Sequence, residues 1–299
     1  MTVLLDALAP MRNPDGGWGT TLDRPSSTEP TALALLAFAT DPGSGDFVDG
    51  ARKWLLANQM DSGAWPVLPG LEEASWASAM ALMAIQGRPD ADAPFRRGVE
   101  WMGESRGAGV PWRVRLREWL RGKEPVELDP TLTGWSWAPH TFSWVEPTAW
   151  AILALRNAHP GGMPRAVSRR IDEGERMILD RTCPGGGWNY GNKVVLGVDL
   201  EPYPDTTAVA LLGLQGRREA PEVRTGFTAL DRMLDSNHSG LTLSLSALCY
   251  RAWDRDPAPL RALIAEGFSR TRFLDEVRSI ALAVLATASG RVPMVLDHG

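Results

Sequence analysis

Along this chain, segments that are apolar on every side alternate with segments that are apolar on one side only. The first kind reads EPTALALLAFA from Glu29, SWASAMALMAI from Ser75, EPTAWAILAL from Glu146 and DTTAVALLGL from Asp205, with two weaker copies, LSLSALCYRA from Leu243 and SIALAVLATA from Ser279. A helix with no polar stripe offers water no face and has to be covered all round. The second kind, at 47–58, 93–104, 168–182, 221–235 and 257–266, carries its charge on one face and predicts amphipathic helices. Gly-rich turns ending in tryptophan, at Trp18, Trp65, Trp112, Trp137 and Trp188, punctuate the series, and the first three are equally spaced. A charged outer helix, a Gly/Pro turn and an apolar inner helix, repeated about six times, predict an all-α fold: an α/α toroid with an inner and an outer ring, in one domain over 1–299. An open solenoid of helix pairs would leave its inner helices facing a wet groove, which their uniform apolarity argues against. Repeats shorten toward the C-terminus. Residues 113–132, rich in charge and Pro, interrupt the pattern and read as an inserted loop or lid, or as a plain surface loop.

Composition narrows the function classes. With 31 Lys and Arg against 36 Asp and Glu, the net charge is −5, which argues against a protein that tracks nucleic-acid phosphates. The 44% hydrophobic and 22% charged content excludes disorder. Cys183 and Cys249 lie far apart, with no CxxC and no His at ligand spacing, so the sequence calls for two reduced core thiols and for no metal or cofactor. The N-terminus lacks a basic region before its few apolar residues, and no apolar stretch is long enough to span a bilayer. The expected location is cytoplasmic, with peripheral membrane contact and homo- or hetero-oligomerisation left open. Tryptophan is abundant, 13 against 3 Tyr and 7 Phe, so some surface here favours large, electron-rich rings.

Aligning the inner segments on their Ala/Leu cores puts Glu29, Glu146 and Asp205 in one register, with Trp76 in the same place in the second repeat. In a toroid these positions share one rim, at the mouth of a central cavity. Desolvated acids on one rim cannot all ionise, so the arrangement favours a proton on at least one of them. The competing reading is helix capping, since Asp before an apolar helix and Glu-Pro-Thr are both ordinary helix starts. Trp137, Phe142, Trp144, Trp150 and Tyr190, with Trp76 opposite, are candidate walls that would stabilise a cationic intermediate over their faces. Trp18, Trp65 and Trp188 are assigned to packing. His140, in SWAPHTFSW, is placed to hydrogen-bond an acid, and Arg113, Arg115 and Arg117 fit a solvated helix face better than a diphosphate site.

The segment RKWLLANQMDSGAW at 52–65 resembles the QW repeat of squalene-hopene and oxidosqualene cyclases, in which a Gln caps a helix and stacks on the Trp; Gln59 and Trp65 would do so here. NPDGGWG at 13–19 and CPGGGWNYGN at 183–192 keep the Gly-Trp without the Gln. As a repeat pattern, the resemblance to the terpenoid cyclase and protein prenyltransferase superfamily covers essentially the whole chain. It implies the toroid. Squalene cyclases bind a polyene between two such domains, and this chain has material for one. The Asp-x-Cys zinc ligands of prenyltransferase β subunits are missing, as is the acidic magnesium motif of class I synthases. Class II cyclases protonate their substrate with the middle Asp of DxDDTA. The segment EPYPDTTAVALLGL resembles a reduced form of that motif, with Asp205 on the middle acid, Tyr203 on the first and Thr206 on the last. The resemblance therefore implies an isoprenoid-processing, class II cyclase-like protein acting on a hydrophobic polyprenyl substrate. Asp205, Glu146, Glu29, His140 and Tyr203 are its candidate catalytic residues. The alternatives are a non-catalytic isoprenoid- or lipid-binding module, one half of a two-chain assembly, and a protein-interaction toroid.

Overall fold

The computed structural model describes residues 2–108, 128–195 and 197–296. Its inner helices are α2 (Thr28–Phe38), α4 (Ser78–Ile85), α6 (Val145–Ala158), α8 (Pro204–Gly213), α10 (Gly240–Ala252) and α12 (Val277–Thr287). Its outer helices are α1 (Thr2–Leu8), α3 (Gly45–Ala57), α5 (Asp92–Glu104), α7 (Arg165–Asp180), α9 (Pro221–Leu234) and α11 (Ala258–Thr271). Each inner helix packs on the next, and α12 packs on α2, so the inner ring closes. The outer helices lie against it, α1 covering the junction of α12 and α2. Among the described residues this is an α/α toroid of six helix pairs. The sequence pattern located every inner helix but not α1, whose seven residues are too few to show a helical period.

Burial follows the two kinds of segment. In α2, every residue from Pro30 to Phe38 is buried, whereas α7 buries one face that includes Ile171, Gly174, Met177 and Ile178. Only helices sandwiched between a ring axis and a second shell can be apolar all round and still soluble. Among the described residues, no helix is long and apolar enough to cross a membrane. Both cysteines are free and buried, and burial pushes the Cys249 thiol well above its ordinary range.

One repeated device sets the register of the inner helices. The indole N–H of Trp18, Trp65, Trp135 and Trp188 donates to the carbonyl of Leu8, Leu55, Met102 and Ile178 respectively, on the preceding outer segment. The backbone N–H of the same tryptophan donates to a hydroxyl in the first turns of the following inner helix, at Thr31, Ser78, Thr148 or Thr207. That hydroxyl donates back to the tryptophan carbonyl, at 3.1 to 3.4 Å. Two neutral hydrogen bonds in a dry setting, each contributing about 1 kcal/mol, fix where the helix starts. The turn needs a left-handed residue two positions before the tryptophan in three repeats, met by Gly16, Gly63 and Gly186 with φ of 91°, 92° and 82°.

The third tryptophan of this series is Trp135, not Trp137. Trp135 is buried and makes the clamp, while Trp137 is half-exposed and packs edge-on against Trp76, ring centroids 5.0 Å apart. Trp112 lies outside the described residues, as do Arg113, Arg115, Arg117 and all of the expected 113–132 insertion up to 127. The separation from carbonyl to clamped indole measures the insertion: 33 residues in the third repeat against 10 in the other three. A smaller extension, 19 residues from Trp188 to Thr207 in place of 13, holds the hairpin β1 (Val194–Val195) and β2 (Val198–Asp199). Gln59 donates to the carbonyls of Gly63 and, on α5, Pro94, and accepts from Arg97, which ties two neighbouring repeats.

Candidate functional site

Because the clamp hydroxyl lies two residues after Glu29, Trp76, Glu146 and Asp205, the clamp delivers all four to the same end of the ring. None of the three acids caps its own helix: α2, α6 and α8 start at Ser27, Trp144 and Tyr203 with no side-chain cap bond. The capping reading therefore fails for all three.

Glu29 and Glu146 instead meet Arg278, from the first turn of α12. Arg278 Nη2 donates to Glu146 Oε1, and its Nε lies 3.5 Å from Glu29 Oε1. In the ring order, α12 and α6 stand opposite each other, so the Arg278–Glu146 contact crosses the axis at the mouth. Trp150, one turn into α6, donates its indole N–H to the same Glu146 oxygen at 3.3 Å. Placed by its sequence among the rim walls, Trp150 is fully buried, and its ring, one turn below the acid, holds Glu146 rather than facing the opening.

The electrostatics are uneven. Burial is the largest influence on Glu29 and raises its carboxyl above the ordinary 4.5; Arg278 pulls the other way, and Glu146 and Glu276 add to the rise. Trp76 lies near enough to favour the anion weakly, yet Trp76 Nε1 and Glu29 Oε1 are both buried without a hydrogen-bond partner. Arg278 is held charged despite its burial, chiefly by Glu29 and Glu146. Glu276 is committed elsewhere, accepting the Ser279 N–H as the N-cap of α12.

Asp205 lies on the α8 side, half-buried, and makes no hydrogen bond among the described residues. Between it and Glu146 stands Tyr190, whose hydroxyl is raised first by burial and then by the charges of Asp205 and Glu146. Tyr190 and Tyr203 lie with ring centroids 5.2 Å apart, both about half exposed. Phe142 is exposed on the same rim, and Phe142 and Trp144, with Leu132, Arg181 and Asn192, line a side pocket of about 240 Å³. His140 does not join the acids: it sits exposed at the tip of the 138–141 turn, with a left-handed φ of 62° and no hydrogen bond among the described residues. The segments that lead into inner helices also expose Leu68, Leu71, Val195, Val198, Leu200 and Leu274, interleaved with exposed Glu72, Glu73, Asp199 and Glu201.

The sequence pattern missed Arg278. Its repeat is among the weakest copies, and its partners, 132 residues away in the case of Glu146, meet it only when the ring closes. No cluster of three His, Cys, Asp or Glu able to hold a metal occurs among the described residues.

Fold and mouth together define an α/α toroid with an acid-lined opening, and the toroid itself recurs in other solved structures. An alpha-amylase from Clostridium perfringens has the same fold, with a TM-score of 0.60 over 95% of each chain at 8% identity. So does a protein from Actinoplanes, with a TM-score of 0.56 over 95% of this chain and 98% of that one at 16% identity. Identities this low speak for fold alone. No family model matches the chain. In sequence, the chain is 30% identical over 182 residues, 60% of its length, to drimenyl diphosphate synthase from Streptantibioticus cattleyicolor. The similarity is thus to a terpenoid cyclase, and the chain spans 30% of that synthase's length.

Proposed function

We propose that this protein processes isoprenoids as a class II cyclase-like enzyme: an acid at the mouth protonates a polyprenyl chain, and the aromatic rim stabilises the cation while rings close. The observation that carries this reading is the convergence of Glu29, Glu146 and Arg278 on the ring axis, flanked by Asp205 and by exposed Tyr190 and Tyr203. Protonating a double bond needs an acid that is neutral at rest and whose anion is stabilised as soon as it forms. Buried carboxyls beside a guanidinium supply both halves. Aromatic faces add roughly 0.5 to 2 kcal/mol each to a cation over them. The family motif's register offers Asp205 as one candidate acid, with Tyr203 beside it at the entrance, and the buried cluster offers Glu29, with Glu146 and Arg278 holding the charge balance. Trp76, Trp137 and Trp144 complete the walls, and the substrate is a hydrophobic isoprenoid.

Apolar side chains exposed on the rim support a second reading, an isoprenoid-binding or protein-interaction toroid that works as one half of an assembly. Exposed Leu, Val and aromatic residues ringing one opening form the kind of patch that marks contact sites. One experiment separates the two. The purified protein is incubated with farnesyl and geranylgeranyl diphosphate, and retained and released material is resolved by mass and NMR. Cyclisation predicts a product of unchanged mass with fewer double bonds. Retention of unaltered substrate favours the binding module, and no retention at all favours the interaction toroid.

A further inference from the structure

We infer that Glu29, rather than Asp205, is the group that holds the reacting proton at the mouth and delivers it to the substrate, an inference that rests on the cyclase-like reading above. Three carboxyls, those of Glu29, Glu146 and Glu276, lie around one guanidinium, that of Arg278. One cation in a desolvated site compensates one of them. Glu146 takes Arg278 Nη2 and the Trp150 N–H, and Glu276 takes the Ser279 N–H at a helix N-terminus. Glu29 is left with a 3.5 Å approach to Arg278 Nε and an Oε1 that is buried and unbonded. A carboxyl in that position is the cheapest place in the cluster to put a proton.

The same geometry serves the reverse half of the step. Burial favours the neutral form of Glu29, and its side chain keeps 15% exposure, which leaves the residue open to the mouth. The unbonded Trp76 N–H and the nearby Arg278 wait for negative charge. When the π electrons of a substrate double bond form a C–H bond with the Glu29 proton, the adjacent carbon becomes cationic and Glu29 a carboxylate. That carboxylate then gains Arg278 and Trp76 as partners. Ring closure consumes further π bonds and moves the cation, which is quenched by losing one proton, so the product is an isomer of the substrate. Asp205, half-exposed and without a hydrogen bond, has no comparable device to stabilise its anion.

The test uses the full chain, farnesyl diphosphate as probe, and two readouts. The infrared carboxylic C=O absorption at pH 7 reports a protonated carboxyl whether or not the probe reacts. The parent is expected to show this band, Glu29→Gln to lose it, and Glu146→Gln and Asp205→Asn to keep it. Turnover by Glu29→Gln is expected to fall roughly 10²- to 10⁴-fold, further than in Asp205→Asn, with the thermal midpoint of the near-isosteric variant unlowered. A parent without the band, a band lost in Asp205→Asn instead, or turnover that survives Glu29→Gln would overturn the inference. A parent that shows the band but turns over no prenyl diphosphate would reject the cyclase reading and leave Glu29 as the proton-holding group.

Discussion

The two ends of the ring are built from the same helices and treat their polar groups in opposite ways. At the end away from the acids, the chain's own residues 292–296 lie across the opening, with Val292 and Met294 buried. Asn157, on the last turn of α6, donates to the Pro293 carbonyl; Gln215, just after α8, donates to the Met294 carbonyl and accepts the Leu296 N–H. Gln86 in turn donates to the Asn157 carbonyl. These side chains and the segment that seals this end satisfy one another. At the mouth, Ser27 Oγ, Glu29 Oε1, Trp76 Nε1 and Thr206 Oγ1 are buried with no partner, and charges from three helices crowd one guanidinium. Leaving a buried polar atom unbonded costs about 1 to 3 kcal/mol. The contrast between matched amides at one end and unbonded polar atoms beside a charge cluster at the other supports the site proposed at the mouth.

Substitutions at the clamp should weaken both ends alike. Trp188→Ala removes a fully buried ring and its indole hydrogen bond to the Ile178 carbonyl, and is expected to lower the unfolding free energy by roughly 3 to 5 kcal/mol in urea titration. A local effect confined to one repeat would contradict the clamp. Arg278→Met separates the ends: it leaves buried Glu146 without its cation and should cost on the order of 3 kcal/mol at neutral pH. That loss should shrink on acidification, since a protonated carboxyl needs no cation beside it, whereas no acid-dependent recovery should follow a change at the sealed end. Gln215→Ala is the sealed-end counterpart. Orphaning the Met294 carbonyl and the Leu296 N–H should cost about 1 to 3 kcal/mol and speed amide hydrogen exchange at Met294–Leu296, leaving the pH dependence of stability untouched.

The toroid was legible because its two helix types differ in the quantity sequence displays best, the angular spread of apolar residues. The acid register was legible for a related reason. Repetition fixes the clamp hydroxyl, and Glu29, Glu146 and Asp205 ride two residues ahead of it. What stayed hidden depends on contacts between distant repeats. Arg278 has no repeat partner that carries its charge, and Asn157 and Gln215 read as ordinary polar residues near helix ends until residues 292–296 lie over them. Trp137 displaced Trp135 in the sequence reading because two tryptophans follow Gly134 within three residues, and only burial tells them apart. Trp150 looked like a wall because the sequence gives its helix but not which turn reaches the opening.

The central claim is that the mouth keeps a carboxyl proton that the sealed end has no counterpart for, and the smallest substitution tests it most directly. The Glu29 carboxyl is raised in the folded state above its unfolded value near 4.5, so the folded chain binds this proton more tightly. Its contribution is fully present below the unfolded value and is lost as pH rises through the folded one. Unfolding free energies of the parent and of Glu29→Gln, measured by urea titration from acid to mildly alkaline pH, should therefore diverge steadily in favour of the variant as pH rises. A difference that stays flat across that range would contradict the account.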